Sequence, residues 1–254
     1  MALFMDGPAS GIEDLTGQDS QLPDVAHVEN INVTQKLALA QNELAVELGA
    51  LLMRLSYTEQ LSWYTGPPRI ATVVVTPPLK LWHTFRALEM VYADAYNSQL
   101  NDRYAGKRDY FHERAHWAYQ KLVEAGLGIA TDPIPRAAAP AVAAASGDLP
   151  DGTYYVTTAW INRAGEEGAT AVPAVISITG STLSVQPGDP PPNATGWKVY
   201  VGGGPDSMVQ QNSSPIAVGG NWVQPDPVVA AGPAPGSGQG PNYLRPAPRV
   251  IQRG

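Results

Sequence analysis

Thr131-Asp132-Pro133-Ile134-Pro135-Arg136, followed by the Ala/Pro run from Ala137 to Ala145, divides this chain into two kinds of sequence. Before it, apolar residues recur at three- and four-residue steps, the period of helices. After it come short β-branched and aromatic runs cut by Gly, Pro and Asn, the pattern of strands and turns. Two patterns on either side of a Pro-rich stretch predict two domains. The expected divisions are an irregular acidic arm over 1–21, a small helical bundle over 22–130, a linker over 131–148, an antiparallel β-sandwich over 149–228 and a basic Gly/Pro-rich tail over 229–254.

In the first half, Val33, Leu37, Ala40, Leu44, Leu48, Leu51, Leu52 and Leu55 form one apolar face. Asn32 stands where an N-cap is needed, with Gln35 three residues on. Leu22–Glu29 fits a short helix. Pro77-Pro78 opens a second long helix, with proline placed where a missing N–H costs least. A third runs from about Asp102 to Glu124 and stops at Gly126. Thr72–Thr76 reads as an extended connector or one strand of a hairpin. In the second half, strands are expected at Thr153–Ile161, Val172–Ile178, Thr182–Val185 and Gly196–Val201, with shorter ones near Met208–Gln211 and Asn221–Gln224. Trp160 and Trp197 fall on two of them as core residues.

Gly and Pro number 25 and 24 in 254 residues, most of them after residue 130, which fits turn-rich β structure there. The absence of Cys excludes disulfides and thiolate metal sites. No apolar run approaches the roughly 18 residues of a membrane span, and the first residues do not have the basic-then-apolar order of a leader, so a soluble chain is expected. The net charge of −7 is unevenly spread: residues 1–30 hold six acids and no Lys or Arg, and the last 26 residues hold Arg245, Arg249 and Arg253 and no acid. Overall acidity argues against tight nucleic-acid binding.

Two constellations bear on function. His112-Glu113-Arg114-Ala115-His116 matches the H-E-x-x-H spacing, which sets two imidazoles on one helix face for zinc. A third ligand is missing after it, and Arg108, Asp109 and Arg114 make it too charged for a buried metal helix. The plainer reading is a His pair at the rim of the apolar face near Tyr119. Gly202-Gly203-Gly204 lacks the spacing of a phosphate loop, and no G-x-S-x-G elbow occurs. The third helix also sorts its charges. Arg103, Lys107, Arg114 and Lys121 fall within about 40° of each other, beside a stripe that includes Asp109 and Glu113. Such stripes serve a solvated face, or a subunit contact in which they set register.

The segment Asp19–Ala26, continued by Asn30–Leu44, and the segment from Leu100-Asn101-Asp102-Arg103-Tyr104-Ala105-Gly106-Lys107 through Trp117–Leu122 resemble head-to-tail adaptor (neck) proteins of tailed bacteriophages. Gly152–Val156, Ala164–Gly168 and Ala194–Val201 resemble the immunoglobulin-like or fibronectin-III-like modules attached to phage structural proteins. Together the resemblances span about residues 19–228. They imply a virion protein, without cofactor or catalysis. Its helical bundle would form a ring, typically of twelve, between portal and tail, with genome DNA passing through unbound and the β-module outside. The expected partners are the portal protein, a downstream tail component and other copies of the chain, with assembly in the host cytoplasm and no membrane. The charged residues of the third helix would meet a neighbour. The tail residues Tyr243, Leu244, Arg245, Arg249, Val250 and Ile251 would dock on a partner as an added strand. A fibre or baseplate component with a glycan-binding β-module is the alternative, marked by exposed Trp or Tyr on its loops, and a zinc hydrolase is a third reading.

Overall fold

The computed structural model describes residues 2–56, 69–99, 102–225, 227–236 and 238–245. Helices fill the N-terminal half: α1 (Ile12–Gln18), α2 (Leu22–Val28), α3 (Val33–Ser56), α4 (Pro77–Gln99) and α5 (Ala105–Ala125). Strands follow: β1 (Leu127–Ile129), β2 (Ala141–Ala145), β3 (Gly152–Ile161), β4 (Ala174–Ile178), β5 (Thr182–Gln186), β6 (Gly196–Gly202), β7 (Val209–Gln210), β8 (Ile216–Ala217), β9 (Trp222–Val223) and β10 (Asn242–Leu244). The chain thus has a helical then antiparallel-β layout. It divides into two compact units, Gly7–Thr131 with the chain from Pro241, and Asp132–Gly240 with Met1–Asp6.

In the helical unit, the Asn32 side chain accepts the Gln35 N–H at 3.0 Å and caps α3. Leu37, Ala40, Leu44, Leu48, Leu51, Leu52 and Leu55 are all buried, so the apolar face read from the sequence is the packed one. α4 packs against both α3 and α5. Its seam with α5 is aromatic: Tyr92 stacks on Phe111 at 5.5 Å between ring centres, and Trp82 meets Tyr119 at 4.9 Å. α5 ends at Gly126, whose φ of +99° suits glycine. A Cβ there would lie 2.9 Å from the Leu244 carbonyl oxygen, because β10 pairs antiparallel with β1 beside it. Thr72 closes a 3-10 turn, Ile70–Thr72, and the chain from Val73 to Thr76 is an extended connector, whose Val73 bridges to Ile129.

The β unit is a sandwich of two antiparallel sheets, β2-β5-β9 and β4-β3-β6-β7, with β8 also on β6. β3 and β6 pair so that Trp160 stands opposite Trp197. Both indoles are buried in one cluster with Val156, Leu183, Val185, Val199 and Val201, as alternation in β3, β5 and β6 predicts. Each such large apolar side chain is worth about 1.5–3 kcal/mol relative to exposure.

Three segments differ from the sequence reading. The 1–21 arm is not irregular: it contains α1, and Leu15 is fully buried. The 131–148 stretch is not a linker. Its Ala141–Ala145 run is β2, in register with Thr182–Gln186, and Ile134 and Ala137 belong to the sandwich core. Alanines pair in a sheet as any residue does, so their low β propensity hid the strand. The Gly/Pro-rich tail read from 229 onward is also tied down in part. The Gln239 side chain exchanges two hydrogen bonds with the Ile134 backbone at 2.8 and 2.9 Å, which zips the two ends of the sandwich together.

Candidate functional site

A groove of about 590 Å³ lies among α3, α4 and α5, walled by Glu43, Val46 and Glu47 on one side and His112 and His116 on the other. Trp82, Arg86 and Glu89 of α4 also line it. The helix period brings both histidines to one face here, as the H-E-x-x-H spacing predicts. One ring nitrogen of each is engaged within the chain. His112 Nδ1 is 2.9 Å from Glu89 Oε1, and the Gln120 amide donates to His116 Nε2 at 2.8 Å. Arg86 bridges Glu43 and Glu89 at 2.6 Å each. Among the described residues no group of three His, Cys, Asp or Glu is placed to hold a metal. Glu113, the residue that would activate water, is exposed and does not line the groove. The groove is therefore a polar-rimmed cleft between helices, and His112 and His116 sit on its rim near Tyr119.

The charges of α5 are largely engaged by the chain itself. Lys107 Nζ binds Asp19 at 2.6 Å and Gln21 at 3.1 Å, tying α5 to the turn before α2. Tyr92 donates to the same Asp19 carboxylate at 2.5 Å. Burial pushes the Asp19 carboxyl up, but the hydrogen bonds from Lys107 and Tyr92 outweigh it and hold it below the usual carboxylate value. Burial and the Asp19 contact push the Tyr92 hydroxyl well above the usual phenol range, so it stays protonated as a donor. The Arg114 guanidinium lies 4.9 Å from the Phe85 ring centre and 4.2 Å from that of Trp117. Lys121 pairs with Glu124 at 2.6 Å, Asp109 with Arg108 at 2.8 Å, and Arg103 lies over Tyr104. Lys107 thus clamps α5 to the turn before α2 through a buried carboxylate. The sequence reading missed two exposed aromatics beside this stripe, Tyr110 and Trp117. Their seven-residue spacing was the available signal.

Tyr243, Leu244 and Arg245 do not form an extended docking arm. Leu244 is buried, β10 pairs with β1 of its own chain, and Arg245 Nε donates to the Ala125 carbonyl at 3.1 Å. The added strand expected on a partner forms within the chain, on the edge that β1 offers. Arg249, Val250 and Ile251 lie outside the described residues.

A Ser–His contact also emerged that no sequence spacing signals. Ser10 Oγ is 2.6 Å from His83 Nδ1, and His83 Nε2 is 3.1 Å from the Leu37 carbonyl oxygen. Nε2 therefore carries the proton and donates to Leu37, while Nδ1 accepts from Ser10. Burial pushes the His83 imidazole below its ordinary pKa. Both residues are buried, the second imidazole nitrogen faces a backbone carbonyl instead of a carboxylate, and neither residue lines the groove. This pair locks the N-terminal segment onto α3 and α4; it lacks the access and orientation of a nucleophile and base.

No protein-family model matches the chain, and no curated protein or solved structure is significantly similar to it. Among the described residues no helix is long and apolar enough to cross a membrane.

Proposed function

We propose that this chain is a structural virion protein, a head-to-tail adaptor whose helical unit assembles as a ring between portal and tail and extends the DNA channel. The reading starts from the resemblance of the 19–44 and 100–122 tracts to neck proteins. The observation that carries it is that the fold joins these distant tracts: Asp19 holds Lys107 at 2.6 Å, and Glu29 accepts from the Tyr104 hydroxyl at 3.0 Å. A motif spread over two tracts has meaning only where the chain brings them together. The engaged His pair and the buried Ser10–His83 contact give the unit clamps rather than an exposed reaction site, which suits a building block. The sandwich would be carried on the neck as an accessory module.

The fibre or baseplate alternative gains nothing from the sandwich surface. Trp160, Trp197 and Tyr200 are buried, and the exposed large apolar residues among its described positions are valines such as Val172 and Val175 rather than aromatic platforms. The test is co-sedimentation of the purified chain with isolated portal rings on a density gradient. Saturable binding at a fixed number of chains per ring is expected. Failure to co-sediment at any protein excess would remove the adaptor reading.

A further inference from the structure

Between Pro23 and Gly49 the sequence contains neither glycine nor proline, yet its helix is interrupted there. α2 ends at Val28 and α3 begins at Val33. The interruption sits at Asn30, whose φ of +54° is the one positive value at a non-glycine among the described residues. The Ile31 N–H reaches back to the Ala26 carbonyl at 2.8 Å, a helix ending that glycine usually supplies. Asparagine tolerates this left-handed conformation without requiring it. With Asn30 at an ordinary helical φ, α2 and α3 would join, and Leu22–Asn32 would lengthen α3 by roughly 16 Å.

The interruption holds an arm in place. Gly7–Glu29 is seated on the body formed by α3, α4 and α5. Leu15 and Leu22 are buried, and Asp19 takes the Tyr92 hydroxyl and Lys107. Glu29 accepts from the Ser98 and Tyr104 hydroxyls at 3.0 Å each, and Asp14 pairs with Lys80 at 2.7 Å. The residues before Gly7 lead into the arm, and there Asp6 accepts the Arg136 N–H at 2.8 Å. All these contacts join the chain before Asn30 to the chain after it, so none requires both to belong to one copy. An arm that left its seat would expose Leu15 and Leu22 and leave Lys107 and Tyr92 without their carboxylate. The seat that fits it elsewhere is the same one on another copy.

We propose that the chain exchanges this arm between copies with Asn30 as the hinge. In the exchanged form, Gly7–Glu29 of one copy occupies the α3–α4–α5 seat of the next. Every contact of the seat re-forms there, so the exchange costs only the change at the hinge and the association itself. The helix ending at Asn30 and the Asn32 cap are replaced by helical bonds across 29–32. Exchange in series, each copy giving its arm to the next, closes a ring when the rotation allows. That last step alone rests on the adaptor reading; the exchange is tested without portal.

The experiment uses the Asp14–Lys80 pair as a reporter. A zero-length carbodiimide condenses a carboxylate with an amine in contact with it, and both groups are partly exposed. Full chains with and without heavy isotope are mixed, held at high concentration and crosslinked. Monomer and oligomer are then separated and mapped by peptide mass. Expected are Asp14–Lys80 adducts between unlike copies in the oligomer and within one copy in the monomer. Asn30 is exposed, so its side chain can be replaced without opening the core. Asn30→Ala disfavours the positive φ and favours helix, and should raise the mixed fraction several-fold; Asn30→Gly should lower it several-fold. Circular dichroism checks that both variants keep their helices. Absence of mixed Asp14–Lys80 adducts at every concentration, or equal amounts in the two variants, would overturn the inference. So would oligomers whose mixed adducts join other residue pairs only. Mixed Asp14–Lys80 adducts from a chain that ignores portal would keep the exchange and remove the adaptor reading.

Discussion

Each unit of this protein is braced by the same three groups, a buried carboxylate that takes a tyrosine hydroxyl and a lysine. In the helical unit Asp19 accepts from Tyr92 at 2.5 Å and Lys107 at 2.6 Å. In the sandwich Glu167 accepts from Tyr200 at 2.6 Å and Lys198 at 3.0 Å, and Gly236 N–H adds a third bond at 3.3 Å. The carboxylate side chains are 7 and 4 % exposed. The wiring differs. Lys198 and Tyr200 sit two apart on β6 and so share a face of the sheet, which places both donors by strand geometry alone. Asp19, Tyr92 and Lys107 come from the turn before α2, from α4 and from α5, so their meeting depends on the packed bundle. The sandwich clamp takes both side-chain donors from one strand and adds the Gly236 segment, whereas the helical clamp takes each group from a different element.

That comparison can be broken most strongly at the carboxylates. Asp19→Ala leaves Tyr92 and Lys107 without their acceptor and should destabilise the helical unit by about 3 kcal/mol. Glu167→Ala should do the same to the sandwich. In urea unfolding followed separately by helical circular dichroism and by site-assigned fluorotryptophan NMR signals of Trp160 and Trp197, each variant should shift mainly its own unit's transition. Equal shifts of both signals by either variant would show that the units do not unfold separately. Removing only the hydroxyl is milder: Tyr92→Phe and Tyr200→Phe should each cost about 1.5–3 kcal/mol, the worth of a hydrogen bond to a charged group.

Acid sharpens the contrast. The folded Asp19 carboxyl titrates below the unfolded value of 3.8, so its contribution is fully present above that value. It is lost as pH falls from about 3.8 through the lower folded value. The helical transition of the parent chain should therefore move down in that window, and Asp19→Asn should flatten the dependence. An unchanged slope in the variant would show that other carboxylates govern it. The smallest effect is expected at Gly49, inside α3. A Cβ there meets nothing within 4 Å, so Gly49→Ala should stabilise the chain by about 0.5–1 kcal/mol in thermal unfolding.

The sequence was readable where periodicity and burial agree. α3 carries a continuous apolar face and an Asn cap, and β3 and β6 alternate around their buried tryptophans, so each could be placed from local pattern. β2 was hidden because an alanine run signals no strand until β5 lies beside it. β1 and β10 were hidden because two three-residue strands, 113 residues apart from Ile129 to Asn242 in their closest pairing by chain position, carry no local period. The same reason explains the site. Arg103, Lys107, Arg114 and Lys121 share a helix face by arithmetic, but which of them is already engaged depends on Asp19 and Phe85, far away in sequence. His112 and His116 face one groove as their spacing requires, and Glu89 and Gln120, which engage them, form no motif with them.

The adaptor reading is tested most directly by the mass of the purified chain in solution, measured by light scattering with and without isolated portal rings. The account predicts that portal converts the chain into a complex of fixed stoichiometry, with many chains per portal. A stable trimer whose mass is unchanged by portal would contradict it and point to a fibre or spike instead.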